Sequence, residues 1–250
     1  MTDIPTLGSA IAARLPWLSR DQMVEVDRAM VEDYGIGVIQ MMELAGRHLA
    51  HLARKRFLHG VLANHRVTVL AGAGGNGGGA LVCARRLANW GIPVSVFLAA
   101  DPVAFGPVPL RQLGIVQRLG IRVVEMSEPF PETSTLVIDG MIGYGLRRAP
   151  RGRTADLIRW TNSSDAPILA LDVPSGLHAT TGAVMNPVVH ATATMTLALP
   201  KQGLGRHEAQ ALVGELYLAD IGVPPQLYAR DPLNLAVPNP FTEYDMVRMK

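Results

Sequence analysis

A parallel, doubly wound α/β sheet covered by helices, preceded by an N-terminal helical pair, is predicted by three features of this chain. Short apolar, β-branched runs alternate with amphipathic helical patterns along most of its length. One such run, residues 67–70, leads through a glycine turn into an apolar helix. A hydrophobic content of 48% against 18% charged residues fits generous burial, as a sheet covered on both faces requires.

The elements follow in order. Ser19 and Gln22 form a capping box that starts a helix ending near Gly35. Val38, Met42, Ala45, Leu49 and Leu52 alternate steps of four and three, which marks a second amphipathic helix. Its polar face carries Arg47, His48, His51 and Arg54. The two histidines could reach one metal, but no third ligand is near, and a solvated basic face is expected. After the strand at 67–70, six of the eight residues 72–79 are glycine, and Leu81, Ala84, Leu87 and Ala88 then continue a helix that Gly91 stops. Further strands are expected at 94–99, 122–125, 136–139, 168–172, 194–199 and 215–219, with helices at 110–119 and 154–160. The proline-rich tail from Pro224 is expected to be irregular. No repeat, low-complexity tract or composition shift marks a second domain.

Composition excludes several classes. A net charge of +2 with scattered basic residues implies no pull toward nucleic acid or a membrane surface. No apolar run approaches the roughly 18–20 residues of a membrane span. The N-terminus lacks the charged and apolar regions of a secretory signal, so a cytoplasmic protein is expected. The one cysteine, Cys83, permits no internal disulfide and reads as a packed small hydrophobe.

Chemistry concentrates at strand tips. Strand, glycine turn and helix together make a phosphate cradle, because glycine lets the backbone approach a pyrophosphate and the helix start favours negative charge. Gly72, Gly74 and Gly77 give a literal G-x-G-x-x-G, and Asn76 is the only polar side chain of the turn. The alternative is a tight turn with no ligand. Two other strands end in I-D-G-M-I-G-Y-G-L, with Asp139, and L-D-V-P-S-G, with Asp172 and Ser175. Open parallel sheets bind ligands beyond such ends, although Asp is also a common turn former there. A nicotinamide dehydrogenase would use Asp101 to hold a ribose. Two helices before the first strand and a glycine run richer than the fingerprint needs argue against it.

The chain as a whole resembles the NAD(P)H-hydrate epimerase family. The resemblance runs from about Leu18 to about Tyr228, through M-M-E-L-A-G at Met41, the glycine loop, I-D-G-M-I-G-Y-G-L with R-A-P-R-G, L-D-V-P-S-G-L, L-A-L-P-K-Q-G-L and Y-L-A-D-I-G-V-P, in family order. It implies a Rossmann-like three-layer α/β/α sandwich with a mainly parallel sheet and an N-terminal helical pair, made of an extension at 1–17, one epimerase-like domain at 18–228, and a tail at 229–250 packed on or extending from it. It also implies interconversion of the R and S forms of hydrated NADH and NADPH (NADHX and NADPHX), a nucleotide-repair isomerase activity, with a bound potassium ion and a homodimer. By position, Asn76, Asp139 and Ser175 would hold the ion, a donor set of oxygens that suits a hard cation. The dinucleotide would lie against Gly75, Asn76, Gly77, Gly78 and Gly79, against Gly143, Tyr144, Gly145, Leu146, Arg147, Arg148 and Ala149, and against Asp172. Asp172 would also be the acid–base group. Bifunctional relatives carry a fused ATP-dependent dehydratase; here that activity is expected from a separate ATP- or ADP-dependent protein.

One segment departs from the family pattern. The usual loop is G-x-G-N-N-G-G-D-G, whereas Gly75 stands here for the first Asn, Gly79 for the Asp and Ala80 for the last Gly. A second expectation is therefore a nucleotide-binding or scaffold module that keeps the pocket with weakened turnover.

Overall fold

The computed structural model describes residues 4–124, 128–130 and 133–249. After one helical turn, α1 (Ser9–Ala12), come the two expected helices, α2 (Arg20–Glu32) and α3 (Val38–Arg56). The Ser19 capping box is formed, with Ser19 Oγ accepting from the Gln22 amide and Gln22 accepting from that of Ser19. The chain then alternates β1 (Val67–Ala71), α4 (Gly75–Asn89), β2 (Val94–Leu98), α5 (Pro107–Arg118), β3 (Arg122–Val124), β4 (Leu136–Gly140), α6 (Gly152–Ser163), β5 (Ile168–Leu171) and β6 (Ala193–Leu197). Short helix α7 (Gln210–Val213), β7 (Glu215–Ala219), short helix α8 (Pro225–Tyr228) and β8 (Met246–Arg248) complete it. Glu125, the end of the expected third strand, lies outside the described residues.

The eight strands form one sheet in the order β3-β2-β1-β4-β5-β6-β7-β8. Every pair is parallel except β7–β8. Successive strand residues feed opposite layers, as the pleat dictates. Val69, Ile138, Leu169 and Met195 pack with α3 and α4 residues such as Leu49 and Leu81. Leu70, Val137, Ile168 and Ala170 pack with Leu157 and Ile158 of α6 on the other face. Burial on both faces explains why the strands read as near-continuous apolar runs.

Two expectations are corrected. The tail is not wholly irregular, because Met246–Arg248 adds an antiparallel edge strand to β7. Its Val247 joins Leu7 and Leu15 of the N-terminal segment in one apolar cluster with α2. The histidine-bearing face of α3 is not simply solvated either. His48 is buried, which lowers its pKa, and the His51 ring lies 5.0 Å from that of Trp90. Cys83 is fully buried and its thiol is pushed far up by desolvation, as a core residue should be. Among the described residues, no helix is long and apolar enough to cross a membrane.

Candidate active site

The strand order reverses between β1 and β4, and a cavity of about 640 Å³ opens beyond the carboxyl ends of the strands there. One wall consists of strand tips and loops: residues 74–76 after β1, 141–145 after β4, and Leu171 and Asp172 at the end of β5. The other wall is helical and mostly apolar, with Met23, Val24 and Asp27 from α2 and Met41, Met42 and Ala45 from α3.

Asp172 is the centre of the polar end. Its φ of 67° is rare for a residue with a side chain, and such strain persists where surrounding contacts enforce it. Those contacts are present on both carboxylate oxygens. Oδ1 lies 2.5 Å from the ammonium of Lys201 and 3.4 Å from Thr196 Oγ1, while Oδ2 accepts the Tyr144 amide at 3.0 Å. Lys201 is 0% exposed, and its Nζ also donates to the Leu197 carbonyl at 2.7 Å and to Thr196 Oγ1 at 3.3 Å. Three donors thus meet three acceptors, the condition for burying an ammonium.

Asp139, one strand away, is treated differently. It is fully buried, accepting the Ser175 hydroxyl at 2.6 Å, the Ser175 amide at 2.8 Å and the Met141 amide at 3.2 Å. Burial pushes its carboxyl up to about 6, against the pull of those hydrogen bonds. Ser175 Oγ in turn accepts the Ile142 amide at 2.9 Å. Among the described residues, no basic side chain pairs with Asp139.

Asn76 sits in the first turn of α4, and its amide nitrogen donates to the Leu171 carbonyl at 3.1 Å. Its carbonyl oxygen points the other way. A Cβ at Gly143 would lie 3.0 Å from Asn76 Oδ1 and 3.1 Å from Asp172 Oδ2, so only glycine lets the loop pass between these two oxygens. The α4 N-cap is Gly74, with no capping side chain, which leaves first-turn N–H groups open beside the cavity. Tyr144 closes the far side. Its hydroxyl donates to Asp27 Oδ2, and burial raises the pKa of both groups.

The expected site residues divide accordingly. Gly75, Asn76, Gly143, Tyr144, Gly145, Arg147 and Asp172 line the cavity. Gly77, Gly78 and Gly79 are buried behind it. A Cβ at Gly77 would lie 1.7 Å from the Gly72 carbonyl oxygen, one at Gly78 would lie 2.3 Å from Met42 Sδ, and one at Gly79 would lie 3.0 Å from Leu171 Cδ2. Leu146 is a core residue, while Arg148 and Ala149 are exposed and off the lining. The glycine surplus therefore serves packing. Glu43 and Gly46 of the M-M-E-L-A-G segment do too: a Cβ at Gly46 would lie 2.4 Å from that of Val82, and Glu43 pairs with Arg85 of α4 at 2.6 Å. Asp101 only caps a turn, accepting the Val103 amide at 2.9 Å. Lys201 and Asp27 were not singled out from sequence. The signal for Lys201 was a lone lysine just after an apolar strand and a proline; Asp27 gave none.

Fold and site together define a class: a doubly wound α/β protein with an uncapped helix start and a fixed carboxylate on a cavity with one apolar wall. The chain belongs to the family described as YjeF-related protein N-terminus, whose model matches residues 38–203. It is 44% identical over 209 residues to an NAD(P)H-hydrate epimerase of Dehalogenimonas lykanthroporepellens, covering 83% of this chain and 82% of that one. It is 39% identical to the bifunctional NAD(P)H-hydrate repair enzyme Nnr of Salinibacter ruber, of whose length the match spans only 41%. The crystal structure of yeast ynu0 (YNL200c) superposes with a TM-score of 0.80 over 94% of this chain at 21% identity, a likeness of fold.

Proposed function

We propose that this chain epimerises the R and S forms of hydrated NADH and NADPH. The observation that carries the reading is Asp172, anchored by Lys201 through one oxygen and by the Tyr144 amide through the other, on the lining of a cavity that has an apolar helical wall and a glycine-rich helix start. The cavity volume suits one small-molecule head, within the roughly 300–1,000 Å³ typical of such sites. Relatives that bear the epimerase name support the substrate.

The substrate's hydroxyl sits on a ring carbon bonded to nitrogen. That nitrogen expels hydroxide and leaves an iminium, to which water adds on either face. A group that protonates the leaving oxygen and deprotonates the incoming water is required, worth about 10²–10⁴-fold. Asp172 is assigned that role at the face of the ring it addresses. The dinucleotide's phosphates are assigned to the α4 start at Gly75 and Asn76, and Arg147 lines the same cavity.

Asp139, Asn76 and Ser175 fit a hard monovalent cation, which we take to be potassium. An uncompensated buried carboxylate beside neutral oxygen donors is the arrangement such an ion balances. When bound, the ion would supply fixed positive charge at this end of the site. A homodimer, a cytoplasmic location and an ATP- or ADP-dependent dehydratase acting on the product complete the proposal; the last is supported by relatives named as bifunctional repair enzymes.

The test is to incubate the pure protein with a single NADHX epimer, in potassium or in a bulky organic cation. Interconversion above the enzyme-free rate, faster in potassium, is expected. No such rate would sink the enzymatic reading, and nucleotide binding by the inactive protein would then favour a pocket-only module.

A further inference from the structure

We propose that Asp27, with the Tyr144 hydroxyl, is a second acid–base group that serves the face of the substrate ring opposite Asp172. The proposal rests on the epimerase function above. Epimerisation requires hydroxide to leave one face and water to add to the other. Asp172 cannot follow that change of face. Lys201 and the Tyr144 amide fix its oxygens, and its backbone is held at a rare φ. With the phosphates held at the α4 start, showing the other face to Asp172 would take a half-turn of the ring about its glycosidic bond inside the cavity.

A second carboxylate faces the same cavity from the helical wall. Asp27 of α2 lines it beside Met23, Val24 and Met41. Among the described residues its only hydrogen-bond partner is the Tyr144 hydroxyl, and no cation pairs with it. Tyr144 therefore spans the site, with its amide on Asp172 and its hydroxyl on Asp27. The two carboxylates are thus bridged by one tyrosine, and both line the same cavity. Desolvation raises the Asp27 carboxyl above its ordinary range, so it holds a proton more readily than a surface acid does; the Tyr144 bond and Lys201 pull the other way.

The step balances without a co-reactant. On the Asp27 face the C–O bond breaks as the proton of the Asp27–Tyr144 pair passes to the leaving oxygen, releasing water. The ring nitrogen lone pair forms the C=N bond. On the Asp172 face a water oxygen bonds to that carbon and its proton passes to Asp172, while the C=N electrons return to nitrogen. The reverse reaction exchanges the two roles, and solvent resets both protons.

Isotope exchange separates two faces from one. Each epimer is incubated alone in H₂¹⁸O with the unaltered chain, Asp27→Asn or Tyr144→Phe. Interconversion and label in the recovered starting epimer are both followed by mass spectrometry. For Asp27→Asn, interconversion should fall about 10²–10⁴-fold. One epimer should still exchange its hydroxyl oxygen with retained configuration at the Asp172 face, and the other should not. That one-sided exchange itself shows an intact site. Tyr144→Phe, which keeps the ring, should give the same asymmetry with a smaller loss, and carries the test if Asp27→Asn does not fold. Equal loss of exchange from both epimers, or unchanged interconversion, overturns the proposal. Failure of the unaltered chain to interconvert sinks the epimerase function and this proposal together, and is recognised without any variant.

Discussion

Two cavities of almost equal size lie at opposite ends of the same sheet, about 640 Å³ at the carboxyl end and 670 Å³ at the amino end. The second is lined by strand starts such as Val67, Thr68, Val94 and Ser95, with exposed Arg66 and Arg122. Charges at that end pair at the surface, Arg56 with Glu215 at 2.9 Å and Arg122 with Glu128 at 2.8 Å. At the carboxyl end, Asp139, Asp172 and Lys201 are buried outright. Volume does not distinguish the two. What does is that one end keeps ionisable groups out of water, where each interaction is stronger and each missing partner costlier.

The sharpest way to break this contrast is Lys201→Met. It leaves Asp172 buried without its cation, so a loss of about 3–5 kcal/mol in urea unfolding is expected. Adding Asp172→Asn removes the stranded charge and should recover much of that loss. A double variant as unstable as the single one would mean that packing of the lysine stem, and not the ion pair, carries the energy.

Much of the carboxyl end was legible because its signals are local. Strand tips, the glycine turn and the Asn76, Asp139 and Asp172 positions are each written within a few residues. Lys201 and Asp27 were not legible as site residues, because they reach the cavity only through topology. One follows β6 and the other comes from a helix before the sheet begins. The tail's edge strand was hidden for a related reason, since three residues pair only because β7 lies open beside them. The glycine surplus was legible as a pattern, but its packing role was not, because crowding by Met42 and Leu171 comes from distant segments. Gly75 is exposed with open space around a Cβ, so Gly75→Asn should change stability by no more than about 0.5 kcal/mol. Gly79→Asp directs a carboxylate at Leu171 and Ala45 and should cost about 1–3 kcal/mol in thermal unfolding. If it instead raised the epimerisation rate without loss of stability, the site would have room for the acid usual in the family.

The smallest effect belongs to the amino end. Glu215 accepts two hydrogen bonds from Arg56, at 3.0 and 2.9 Å, and one from the Tyr217 hydroxyl at 2.6 Å. The Arg56 bonds, chiefly, bring its carboxyl down to about 2, against desolvation. A carboxylate whose folded pKa lies below its usual 4.5 contributes stability above that value and loses it as pH falls toward 2. Side-chain exposures of 44% for Arg56 and 23% for Glu215 leave the pair open to solvent, so Glu215→Gln should cost no more than about 1 kcal/mol at neutral pH. That gap should narrow below pH 4.5 and also in molar salt, where the screening length drops to about 3 Å. The Lys201→Met deficit should persist in the same salt, because its charges are out of reach of ions. A Glu215 gap that ignores salt, or a Lys201 deficit that vanishes in it, would erase the electrostatic difference between the two ends of the sheet.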